Sequence, residues 1–160
     1  MSGRGRFDED NAPCYAEAVA FCVEHGAKCG VTVAFVPSLR PYISFVHTID
    51  TSIDLAKLSG ADIVADVATG TPSATLGLRI ALVQLSDVDL GTAIQPGRCE
   101  RTLPDEGELS LADFVKASCK AGYTGPFEIE FLGSELIEAG AHARGREHTS
   151  RLLNETIGSD

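Results

Sequence analysis

The sequence predicts an α/β fold built on a parallel sheet, open or closed into a barrel, and three observations predict it. Four short apolar runs, Val31 to Val36, Asp62 to Ala65, Arg79 to Leu85 and Phe127 to Leu132, have the length and β-branched content of buried strands. Each run is separated from the next by enough chain for a crossover, giving the order αβαβ(α)βαβα. That alternation favours parallel strands joined by right-handed connections. Finally, 160 residues with 44% hydrophobic and 22% charged side chains are enough for one sizeable core and fall in the globular range.

Taken in order, Met1 to Asn11 mixes Arg with Asp and Glu, lacks an apolar stretch, and is expected to be a disordered tail rather than a signal peptide. Residues 12–157 form the folded unit. Ala12 to His25 sets Ala16, Val19, Ala20 and Val23 on one helical face, and Gly26 follows as a stop signal. After the first strand, Asp50 to Leu58 carries apolar residues at helical spacing, with Thr48, Asp50 or Thr51 as N-cap and Gly60 as terminator. Two glycines and Pro72 allow only a short, weak helix over Gly70 to Gly77. Asp87 to Ser110 is longer than a routine connection and is read as a functional loop. Ser110 caps a helix over Leu111 to Ala121, ended by Gly122. Ser134 to Ile157 is the last helical region, weakened by Gly140 and Gly145.

Several function classes are excluded by composition. The net charge of −10 and the lack of a basic stripe argue against nucleic acid and anionic membranes, whose binding draws on Lys and Arg clusters. No apolar run approaches membrane-spanning length. Cys14, Cys22, Cys29, Cys99 and Cys119 are odd in number and contain no C-x-x-C pair, which suggests buried reduced thiols in a cytoplasmic protein. His25, His47, His142 and His148 lie on helix ends, loops or the polar C-terminal region and read as surface residues.

Three of the four strand ends carry side chains able to hold a metal: Asp66, Gln84 and Glu130. Strand C-termini are where ligands sit in parallel α/β folds. Alternation puts Asp66 on the face of Val64, Gln84 with Leu82 and Ser86, and Glu130 with Glu128, while Phe127, Ile129 and Phe131 take the opposite face, toward helices. Two carboxylates and an amide oxygen suit Mg²⁺ or Mn²⁺ and balance its charge. Such a site acts on adjacent oxygens of a hydroxycarbonyl compound, with Glu130 or Glu128 as base. Each residue also has a plainer role: Asp66 as cap of the next turn, Gln84 as a hydrogen-bonded core amide, Glu130 as part of a solvated face. The fourth end is Val36, which cannot coordinate.

The segments Ala61 to Asp66, Ile80 to Asp87, Arg101 to Leu109 and Gly122 to Glu130 resemble the C-terminal half of sugar phosphate isomerases/epimerases, the xylose isomerase-like TIM barrels. The resemblance implies a half barrel of four parallel βα units, corresponding to strands five to eight. It implies one divalent metal held by Asp66, Gln84 and Glu130, with Glu130 also catalytic, and a small sugar-like substrate. Arg98 and Arg101, in the loop after strand seven, match where such barrels receive an anionic group. The departures are Val36 in place of the strand-five glutamate, Thr69 in place of a common His, and Pro104-Asp105-Glu106 in place of Pro-Gly-Glu. Half a barrel leaves open edges. The expected partner is therefore a second copy or a complementary half-barrel chain, unless an upstream N-terminal half completes it. A non-catalytic completing subunit stands as the alternative to an impaired isomerase or epimerase.

Overall fold

The computed structural model describes residues 11–38, 44, 46–71, 80–89, 101–130 and 140–158. Its elements are α1 (Ala12–Lys28), β1 (Ala34–Phe35), α2 (Ile49–Ser59), β2 (Asp62–Asp66), a 3₁₀ turn (Val67–Thr69), β3 (Ile80–Leu85), β4 (Asp87–Val88), β5 (Arg101–Thr102), α3 (Leu111–Lys120), β6 (Phe127–Ile129) and α4 (Ala141–Ile157). Met1 to Asp10 of the expected N-terminal tail, Arg79, the Pro72 to Gly77 part of the weak helix, Arg98, Cys99, Phe131 and Ser134 to Ala139 lie outside the described residues, while Asn11 stands at the N-cap of α1.

Of the three candidate N-caps for α2, Thr48 is used, and its side chain accepts from Thr51 N at 3.1 Å. Gly60 closes the helix at φ 77°, a left-handed conformation that suits glycine. Gly26 acts differently from the expectation. α1 runs through it to Lys28, and a β-carbon there would meet the Val31 carbonyl oxygen at 2.7 Å. Glycine at this position permits close approach of the returning chain, whose Val31 N donates to Gly26 O at 2.8 Å. The first strand is shorter than the apolar run suggests, covering Ala34–Phe35 alone. Ser110 stands at the N-cap of α3 without a side-chain cap bond.

Four strands form one parallel sheet in the order β1-β2-β3-β6. Because spatial order follows chain order, right-handed crossovers all fall on one side of the sheet. The core records that side: Phe35, Ile63, Ala65, Val83 and Leu85 pack with Ile49, Ile53, Leu55 and Ala56 of α2 and with Leu111, Phe114 and Val115 of α3. Alternation turns Val64, Asp66, Leu82, Gln84, Glu128 and Glu130 to the other face, the inner wall of a barrel segment. The architecture is α/β with a parallel four-stranded sheet, as the alternation predicts.

The long stretch after β3 holds regular structure at its two described ends. Asp87 pairs with Thr102 and Val88 with Arg101 in an antiparallel ladder. Burial of the thiols is corrected: Cys14, Cys22 and Cys29 are free but exposed, and Cys119 is half-buried. Ala12 and Ala16 take the buried face of α1, so Cys14 and Cys22 fall outward. Two histidines also depart from the surface reading. His47 Nδ1 bonds Ser38 O at 2.7 Å, and His148 Nδ1 bonds Pro104 O at 3.0 Å, both from half-buried positions. No helix among the described residues is long and apolar enough to cross a membrane.

Candidate metal centre

β2, β3 and β6 set the site by register. Asp66 lies opposite Gln84, and Gln84 opposite Glu128. Paired residues of neighbouring parallel strands share a face, so these three form one row across the inner wall. Glu130 stands one pleat further on, its N–H donating to Leu85 O at 2.9 Å and so continuing the ladder past β6. Gln84 Nε2 donates to Glu128 Oε2 at 2.8 Å, which fixes the amide and aims its oxygen the other way.

Asp66 is 2% exposed. Its Oδ1 accepts from Ala68 N at 3.0 Å, so it does cap the turn that follows β2. Thr69, where a His is usual in the resembling barrels, donates its hydroxyl to Asp66 O at 2.8 Å and is buried. Capping engages one carboxylate oxygen of Asp66. The other meets Arg101, whose Nη2 donates to Oδ2 at 2.6 Å while Nη1 reaches Oδ1 at 3.4 Å. Arg101 Nη1 also donates to Ser86 Oγ at 2.9 Å, lies 3.4 Å from Glu130 O, and forms an ion pair with Glu130 Oε2 at 2.8 Å.

The guanidinium therefore draws Asp66, from β2, and Glu130, just past β6, onto one point. Sequence reasoning had placed both carboxylates on the inner face and Arg101 on a loop. It missed that the loop returns Arg101 between them, and that Ser86 anchors it. The signal lay in the alternation that puts Ser86 beside Gln84. Asp87 supports the return: its Oδ1 accepts from Val88 N and Leu109 N, each at 2.9 Å. Val36 sits at the end of β1, 52% exposed, and offers no donor.

Two oxygens of this wall lack a hydrogen-bond donor although they are buried: Gln84 Oε1 and Glu130 Oε2. Glu130 Oε2 is close to a cation, yet Nη1 has two hydrogens for four nearby oxygens. A buried acceptor without a donor is costly. A cation binding both would relieve that cost, and the set of two carboxylates and an amide oxygen fits a hard divalent metal. Among the described residues no three His, Cys, Asp or Glu side chains converge to hold a metal, so the amide of Gln84 is needed to make up such a set.

No protein-family model matches the chain, and no curated protein matches it in sequence. Solved structures do match in shape. The IolI protein with a bound zinc atom superposes with a TM-score of 0.81 at 12% identity, covering 98% of this chain and 62% of that one. A xylose isomerase-like TIM barrel protein from Mycobacterium smegmatis in complex with magnesium gives 0.60 at 17% identity, covering 96% and 54%. D-allulose 3-epimerase from Methylomonas sp. gives 0.62 at 13% identity, covering 96% and 50%. The chain thus spans between half and two-thirds of the length of each of these structures. Its fold is that of a partial xylose isomerase-like TIM barrel.

Proposed function

We propose that this chain carries the metal-binding half of a sugar isomerase or epimerase, with Asp66, Gln84 and Glu130 as its ligands to a divalent cation, Mn²⁺ or Mg²⁺. The observation that carries the reading is a pair of buried acceptors at which no hydrogen is aimed, Gln84 Oε1 and, within its ion pair with Arg101, Glu130 Oε2, on the wall that holds Asp66. Similar structures, one with bound zinc, one with bound magnesium and one a D-allulose 3-epimerase, support a metal and a sugar substrate. When bound, such a cation polarises a hydroxycarbonyl compound and acidifies the C–H beside the carbonyl. The Glu130 carboxylate then accepts that proton and returns it. Gln84 is oriented for ligation by its bond to Glu128, and Asp66 by its bond to Ala68 N. Arg101, and Arg98 from outside the described residues, are candidate contacts for an anionic group on the substrate. Val36 leaves the strand-five position without an acid/base group, so proton return from the opposite side of the substrate is impaired. Removal of one such group costs on the order of 10² to 10⁴ in rate.

Thermal unfolding tests the metal. Millimolar Mn²⁺ or Mg²⁺ is expected to raise the melting temperature, and Gln84→Leu to reduce the rise; occupancy at 100 times Kd corresponds to about 2.7 kcal/mol. An unchanged melting temperature in both metals ends the metal reading. Proton transfer is read separately, by NMR of ketoses incubated in D₂O with the Mn²⁺-loaded protein, where exchange of the C3 proton is the expected result.

A second reading, a non-catalytic half-barrel that completes another chain or a second copy, is favoured by the β1 side. Val31 and Val36 flank β1 and are exposed, as are Phe21 of α1 and Leu58 of α2. Among the described residues β1 pairs with β2 alone. Co-purification of a half-barrel partner together with no proton exchange by the isolated chain supports this alternative.

A further inference from the structure

We infer that Arg101 is an internal counter-ion that occupies the carboxylate pair of the inner wall, so that guanidinium and divalent metal compete for Asp66 and Glu130. The inference rests on the metal reading above and adds a device to it. Four features carry it.

First, the contact is specific. Nη2 lies 2.6 Å from Asp66 Oδ2 and Nη1 2.8 Å from Glu130 Oε2, so one planar group bridges two carboxylates that β2 and the segment after β6 supply separately. Arg is suited to this by its fixed fork of donors and permanent charge. Second, the guanidinium fits imperfectly. Nη1 is shared among Asp66 Oδ1, Ser86 Oγ, Glu130 O and Glu130 Oε2, which leaves the last without a hydrogen aimed at it. Gln84 Oε1, the third oxygen of the set, receives nothing from Arg101. The plug thus offsets one of the two negative charges of the pair and leaves some of its acceptors without a donor.

Third, the two cations exclude each other. Mg²⁺ requires its oxygens at about 2.1 Å, and it would draw on the lone pairs to which Nη1 and Nη2 donate. Two positive groups so close repel strongly where water is scarce. Fourth, Arg101 arrives from outside the sheet. It stands on β5, two residues long and attached through its ladder with Asp87–Val88, and its side chain is 17% exposed. Swinging it toward solvent breaks no strand of the four-stranded sheet. The guanidinium does not titrate in the ordinary range, so release depends on a competing cation or on movement of β5. In the metal-free protein the plug keeps the two carboxylates from facing each other unpaired.

The test is Mn²⁺ binding to the full chain, read by the EPR signal of free Mn²⁺, for the wild type, Arg101→Gln, Arg101→Lys and Ser86→Ala. Arg101→Gln is expected to bind on the order of tenfold more tightly, because a cation beside the metal is removed. Arg101→Lys, which keeps the charge but loses the fork, should fall between it and the wild type. Ser86→Ala, which loosens the anchor and leaves every carboxylate in place, should bind modestly more tightly. Without metal, Arg101→Gln should melt below the wild type, and Mn²⁺ should raise its melting temperature by more than it raises that of the wild type. Equal affinity across the four proteins overturns the plug and leaves the metal site standing. Weaker binding in a folded Arg101→Gln also overturns it, since Arg101 would then support the metal. Absence of Mn²⁺ binding in all four overturns both readings. If Arg101→Gln fails to fold, Arg101→Lys and Ser86→Ala decide the matter by the same comparison.

Discussion

At the scale of single residues, buried polar groups are where identity matters most, and Tyr123 shows how one hydroxyl ties two elements together. Its oxygen accepts from Val83 N on β3 at 3.3 Å and donates to Pro126 O just before β6, and its ring meets Phe127 edge-on with centroids 5.4 Å apart. Burial raises its pKa above the ordinary 10.0. The neutral phenol is thus favoured in the folded state, so its contribution to stability is complete below pH 10 and declines as pH rises through the raised value. Tyr123→Phe strands Val83 N and Pro126 O and should cost about 1 to 3 kcal/mol at neutral pH. Urea unfolding of both proteins from pH 8 upward should also show a shallower alkaline decline in the variant; identical declines would trace the loss to another group.

Among the elements, the return from β5 to α3 decides the site more than any strand does. Pro104-Asp105-Glu106 stands where Pro-Gly-Glu is usual in the resembling barrels, and Asp105 is found at φ 75°, the one left-handed non-glycine residue among those described. The chain therefore keeps the glycine-type turn with an aspartate in it, a conformation Asp tolerates better than most residues but at some cost. Asp105→Gly should raise stability by about 1 kcal/mol, measurable by urea denaturation; a loss of stability would mean that the aspartate side chain holds the turn. The same turn is gripped from α4, where His148 Nδ1 bonds Pro104 O and Arg144 lies 4.0 Å from Glu106. The aspartate in the turn was legible in the sequence, but the grip from α4 was not. The histidine reads as a surface residue because its partner is a backbone carbonyl 44 positions away, and no local pattern encodes that distance.

For the whole molecule, the exposed apolar residues beside β1 and that strand's single partner among the described residues predict association. Size-exclusion chromatography with light scattering is expected to return a mass above the 16.9 kDa of one chain, in a homo-oligomer or with a complementary half. A stable, monodisperse monomer would remove the assembly argument. The charge of −10 on each copy opposes self-association at low salt. Raising the ionic strength should therefore increase the fraction of a homo-oligomer, while a complex with a basic complementary half would weaken.

Local pattern was enough to specify the α/β class, the parallel sheet, three of the described helices to within a few residues of their ends, and the face on which Asp66, Gln84 and Glu130 stand. These follow from local periodicity: a strand alternates every residue and a helix every 3.6, whatever the rest of the chain does. Gly60 and Thr48 were readable for the same reason, since a cap is decided within a few residues. The length of β1, the passage of α1 through Gly26 and the pairing of Arg101 with Asp66 and Glu130 were decided by tertiary structure alone. Each depends on what approaches from elsewhere in the chain: the Val31 carbonyl at Gly26, and the β4–β5 ladder that carries a guanidinium 35 positions from Asp66 to its carboxylate. Strand ends announce which side chains face inward, but which cation stands between them is fixed by packing, because charge pairing across a fold leaves no period in the sequence.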